Sequence, residues 1–90
     1  MANLGTFTLK PNVEYQNLAT VTGVTFTSGQ SYQLQIIGDC MLCEAETSPE
    51  QTGFEGFRII NDTWTFICRG NPVWFKNYTQ TQDVVINIAE

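Results

Sequence analysis

Between Val24 and Ile36 the chain alternates apolar and polar residues with a period of two. Val24, Phe26, Tyr32, Leu34 and Ile36 fall on one side and Thr25, Thr27, Gln33 and Gln35 on the other, with Ser28-Gly29-Gln30 between the two runs. Successive side chains of a strand point to opposite faces, so this pattern predicts two half-buried strands joined by a glycine-containing turn. A second hairpin is expected from Thr63–Cys68 and Val73–Lys76, separated by the breaker Arg69-Gly70-Asn71-Pro72, with Trp64, Phe66 and Cys68 facing inward. The last run alternates through Val84, Ile86 and Ile88 and reads as a terminal strand docked into the fold. Weaker strands are expected at Thr6–Leu9, Val13–Tyr15, Cys40–Ala45 and Gly56–Ile60, and Glu46 to Glu55, with Ser48-Pro49-Glu50 and Thr52-Gly53, reads as a surface loop. Apolar residues never recur at helical spacing over a helix-length window.

Ninety residues support one hydrophobic core, so residues 1–90 are read as a single β domain. The content of 42% hydrophobic, 12% aromatic and 14% charged residues is too apolar and too weakly charged for a disordered chain. Its polar residues are mainly Thr, Asn, Gln and Ser, which suit pleated surfaces. The expected class is all-β, a small antiparallel β-sandwich or partly open barrel, jelly-roll-like or Ig-like.

The formal charge of −5 arises from nine acids against Lys10, Arg58, Arg69 and Lys76. Four scattered bases provide neither the cationic stripe that neutralises phosphates nor the cluster that attracts an anionic membrane, so nucleic acid and membrane are not expected partners. The opening residues lack the pattern of a signal peptide, no run reaches the length of a membrane span, and synthesis in the host cytoplasm is expected. Two Asn-x-Thr sequences, at Asn61 and Asn77, would be glycosylated only on secretion.

Catalysis finds little support. The chain contains no histidine, which removes Ser-His and Cys-His activation and the usual zinc-hydrolase ligands. Cys40, Cys43 and Cys68 make an odd number, so reduced thiols are expected instead of a disulfide framework. Cys40 and Cys43 have the spacing of half a zinc knuckle, but no second half-site exists, and on a strand an odd step sends them to opposite faces. Asp39, Glu44, Glu46, Glu50 and Glu55 lack calcium-loop spacing and read as a solvated acidic stretch. No catalytic residue, metal ligand or cofactor is assigned.

The outward rows are more informative. In the register above, Ile37, Ile67, Trp74 and Val85 point away from the core and are the interface candidates, provided that they are not instead buried in a second sheet. Trp74 and Tyr78 share a face four positions apart, so a glycan-stacking platform is the alternative. At Val21 to Ile36, and in the ending Val84-Val85-Ile86-Asn87-Ile88-Ala89-Glu90, the chain resembles small β proteins encoded in phage and prophage structural regions. The resemblance covers about a third of the chain and lies in its Thr/Gln/Asn-rich hairpin and docked terminal strand. It implies a virion accessory subunit of the capsid, head, neck or tail that forms a homo-oligomer or docks on a capsid or tail protein. The expectation is a non-enzymatic structural protein located in the virion, with a small carbohydrate-binding module as the alternative.

Overall fold

Half-buried strands need a second layer to cover their apolar face, and in this chain the layer is a second sheet. The computed structural model describes residues 3–12, 14–51 and 53–90, so Val13 of one expected strand lies outside the described residues. The elements in order are β1 (Asn3–Leu9), β2 (Gln16–Asn17), α1 (Leu18–Thr22), β3 (Ser31–Ile37), β4 (Asp39–Glu44), β5 (Phe57–Ile60), β6 (Thr63–Ile67), β7 (Val73–Asn77) and β8 (Val84–Ala89). Among the described residues two four-stranded sheets form, in the orders β1-β8-β3-β6 and β2-β7-β4-β5, and every ladder is antiparallel. The chain is therefore an all-β sandwich.

Its pairing has one rule. β1 pairs with β8, β2 with β7, β3 with β6 and β4 with β5, as in a single long hairpin folded at the β4–β5 connection. That hairpin is rolled up, and the ladders β3·β8 and β4·β7 seal adjacent turns. Eight strands wound in this way make a jelly roll. Its core holds Leu9, Leu34, Ile36 and the fully enclosed Val84, Ile86 and Ile88 of one sheet against Cys40, Leu42, Val73 and Phe75 of the other. Each buried Val, Leu, Ile or Phe contributes about 1.5–3 kcal/mol.

The rolled connectivity corrects both expected hairpins. Val24–Thr27 joins no ladder, although the turn after it forms, with Gln30 N–H donating to the Thr27 carbonyl at 3.1 Å. The segment instead packs at one end of the sandwich. Phe26 meets the Tyr32 ring edge-on at 4.8 Å, and the Tyr32 hydroxyl accepts from Thr27 N–H at 2.6 Å. β3 finds its partners far along the chain, in β6 and β8. Likewise Arg69–Pro72 carries the chain from one sheet to the other, so β6 and β7 are not paired. Alternation identifies the buried face of each run but not its neighbour: the inward residues of β6 and β7 belong to opposite sheets.

Gly38 makes the same kind of crossing between β3 and β4 at φ 129°, and a Cβ there would lie 3.1 Å from Val84 Cγ2 and 3.3 Å from the Asp83 carbonyl. The one α-helix among the described residues, α1, is five residues long, too short to leave a periodic signature. Asn17 caps it by accepting from Ala19 N–H at 3.0 Å, and Gly23, left-handed at φ 76°, ends it.

Candidate functional site

The outer face of the β1-β8-β3-β6 sheet is built from the polar half of the alternation. Register sets Thr63 beside Gln35, Gln35 beside Asn87 and Asn87 beside Thr6, a row that crosses all four strands. The row is hydrogen-bonded side chain to side chain, Asn87 Nδ2 donating to Gln35 Oε1 at 2.9 Å and Thr6 Oγ1 donating to Asn87 Oδ1 at 2.5 Å. The neighbouring row is Thr65, Gln33, Ala89 and Asn3. None of the outward residues of these four strands is charged. Charge lies at the rim, in the Lys10–Asp83 pair at 3.1 Å and in exposed Asp62 and Arg69 at the two ends of β6.

The four interface candidates separate on this frame. Ile37 and Val85 are direct cross-strand neighbours on the uncharged face, Ile37 at 50% exposure and Val85 half-buried. Ile67, 57% exposed, is on the same face but opposite Ser31, at the other end of β3, about 20 Å from Ile37 at strand rise. Trp74 belongs to the other sheet, half-buried, its indole N–H donating to the Ala45 carbonyl at 3.0 Å.

The outer face of that second sheet is covered by the chain between β4 and β5. Lys76, outward on β7 and in register with Met41 and through it with Arg58, is only 4% exposed. Its ammonium donates to the Gln51 carbonyl at 3.2 Å and to the Gly53 carbonyl, and lies over the Phe54 ring at 4.1 Å and the Tyr15 ring at 5.0 Å. Burial lowers its pKa. Tyr15 is buried beneath the same loop, its hydroxyl donating to the Glu55 carbonyl at 2.6 Å; burial, with Cys43 and Glu55 nearby, pushes its pKa up. Arg58 holds Asp39 through two hydrogen bonds at 3.0 and 2.7 Å, which raise its pKa, and its guanidinium covers the Tyr78 ring at 3.7 Å.

One face of Tyr78 is thus taken by Arg58, and Phe54 packs against it at 5.3 Å. Trp74 is engaged through its indole N–H and Tyr78 through Arg58 and Phe54, with the buried Lys76 between them in the chain. This lysine-centred clamp was not expected from the sequence, in which Glu46 to Glu55 reads as a solvated loop. The available signal was Pro49 and Phe54 inside that polar stretch, with Lys76 between two aromatic residues on an outward row.

Cys40 points into the core and Cys43 to the outer face, opposite Trp74. Burial first, and Asp39 second, push the Cys40 thiol up to about 12; burial and Glu55 also raise Cys43. Among the described residues the three thiols are unbridged, and no group of three acidic or cysteine side chains could hold a metal ion. Of the acidic stretch, Asp39 is engaged by Arg58, and Glu44 has a buried Oε2 without a partner among the described residues. No helix among the described residues is long and apolar enough to cross a membrane. Comparison with protein-family models, characterised proteins and solved structures finds no match to this chain.

Proposed function

We propose that the chain is a non-enzymatic virion accessory subunit of the phage type, which docks through the outer face of the β1-β8-β3-β6 sheet on a capsid or tail protein. The observation that carries the docking reading is the uncharged outward surface of four strands, with Ile37 and Val85 adjacent on it and charge confined to its rim. Freely solvated surfaces intersperse charges, whereas the centre of a protein interface is depleted of them. A jelly roll suits the role because it is a rigid scaffold that viral capsid proteins share, although lectins and cupins share it too. The virion assignment itself rests on the resemblance of the Val21–Ile36 and Val84–Glu90 segments to phage structural proteins.

The test is composition of particles. Phage-type particles induced from a host carrying the gene and purified on a density gradient are expected to contain the chain at fixed stoichiometry, measured by quantitative mass spectrometry. Ile37→Asp, on an exposed site, is expected to keep the fold but to lower incorporation at least tenfold, because a charge must then be desolvated in the contact. Absence of the wild-type chain from the particles would remove the virion reading, and undiminished incorporation of Ile37→Asp would remove this face.

A further inference from the structure

A rolled sandwich leaves four sheet edges open to pairing, and three of them are blunted. β1 carries a register shift between Asn3 and Gly5, with Gly5 at φ 139°. β2 is two residues long. β5 has four residues, carries Arg58, and is bounded by left-handed Gly56 and Asn61. β6, Thr63-Trp64-Thr65-Phe66-Ile67, has no charge, proline or bulge, which are the usual devices against edge-to-edge association.

From this geometry we infer that two copies of the chain pair antiparallel along β6, about a two-fold axis through Thr65. The free backbone groups select that register. Cys68 N–H donates to the Gln30 carbonyl at 2.9 Å and Ile36 N–H to the Asp62 carbonyl at 2.8 Å, so the even-numbered residues of β6 bond to β3. The N–H and C=O of Thr63, Thr65 and Ile67 therefore point away from the sheet. A two-fold axis at Thr65 sets Thr65 opposite itself and Thr63 opposite Ile67 of the second copy, so every outward group meets its complement. Thr63 N–H now donates to its neighbour Asp62 Oδ1 at 2.7 Å, and dimerisation transfers it to the Ile67 carbonyl of the second copy. Between these hydrogen-bonded pairs Trp64 meets Phe66 of the second copy, continuing the apolar inner row.

Charge agrees with the register. Two chains of net charge −5 repel over most of their surface, but β6 is uncharged. Arg69 forms no ion pair among the described residues, and this register leaves it outside the paired residues Thr63–Ile67, at both ends of the ladder. The dimer joins two uncharged faces into one surface of eight strands. This inference rests on the reading of the chain as an interaction subunit and assigns it a partner, a second copy of itself.

The interface is small, with a dissociation constant on the order of 10⁻⁴ M. Sedimentation equilibrium from micromolar to millimolar protein is expected to show a monomer–dimer equilibrium. Thr65→Pro removes only an outward N–H, which an edge strand tolerates, and should weaken the dimer at least tenfold with an unchanged melting temperature. If that variant does not fold, Thr65→Lys, which sets two cations face to face at the axis, takes its place. A wild-type chain that is strictly monomeric at millimolar concentration overturns the inference, as does a folded Thr65→Pro variant that dimerises as well as wild type. Either result would leave particle incorporation, and with it the docking reading, to stand on its own test.

Discussion

The Cys40 thiol lies in the core with Ile59 and Asn77 as its cross-strand neighbours, and its charged form is excluded there strongly enough to push the pKa from 9.0 to about 12. Between those two values the unfolded chain has lost a proton that the folded chain keeps. The resulting stabilisation is complete below about pH 9 and is lost as the pH rises, at about 1.4 kcal/mol per pH unit for this group. Tyr15, also raised, adds a loss of the same sign above pH 10, whereas Lys76, lowered, acts in the opposite direction. Comparison with Cys40→Ala isolates the thiol, since the other groups remain. Urea unfolding at pH 9 and pH 11 should show wild type losing about 2–3 kcal/mol more than the variant; parallel losses would mean that the thiol ionises as freely folded as unfolded. The Lys76 ammonium makes a different contribution, because its two carbonyl bonds and two ring contacts hold the loop on the sheet. Lys76→Met keeps the stem and removes the charge, so the loop should loosen first: amide exchange at Gln51 and at residues 53 to 55 is expected to accelerate, with a stability loss of about 1–3 kcal/mol. Unchanged exchange there would show that the apolar contacts suffice.

Inward and outward rows were legible at the scale of the element, because a period of two is set by backbone geometry alone. Tyr32, Leu34, Ile36, Val84, Ile86 and Ile88 are all buried as their alternation requires. Partner choice was not legible, since the Val24–Phe26 and Tyr32–Ile36 runs carry the signal of a hairpin while β3 pairs across the whole chain with β6 and β8. A turn sequence reports that the chain reverses, and in a sandwich it can reverse into the other sheet. Ile37 and Val85 could be named as outward residues, but their adjacency depends on the β3·β8 register, which no local pattern encodes. The same holds for Gly56. Before β5 its φ is 100°, and a Cβ there would stand 2.1 Å from the Leu42 carbonyl, so the glycine sets how closely the loop's return approaches β4. Gly56→Ala should destabilise by about 2–4 kcal/mol, combining backbone strain with the clash, and thermal melts would check it. A loss under about 0.5 kcal/mol, the range of an ordinary surface change, would show that the β4–β5 connection can shift at no cost.

At the scale of the whole molecule, winding the chain as one rolled hairpin makes the last strand indispensable. β8 stands between β1 and β3, so the first sheet is not continuous until the residues from Val84 onward arrive. Its three inward residues, Val84, Ile86 and Ile88, are fully enclosed, and at about 1.5–3 kcal/mol each they represent much of the roughly 5–15 kcal/mol that stabilises a domain. Deleting residues 84–90 should therefore leave a chain without cooperative folding, whereas an edge strand could be shortened at smaller cost. The ladders β1·β8 and β2·β7 close loops that span most of the chain, and non-local pairing of that kind folds in milliseconds to seconds. Trp64 and Trp74 lie in opposite sheets, so stopped-flow tryptophan fluorescence follows assembly of the two layers together. The full chain should refold in one phase of that duration, and the truncated chain should show none. A truncated chain with a dispersed amide spectrum and a sharp melt would mean that β3·β6 and the second sheet form an independent core, contrary to the continuous roll.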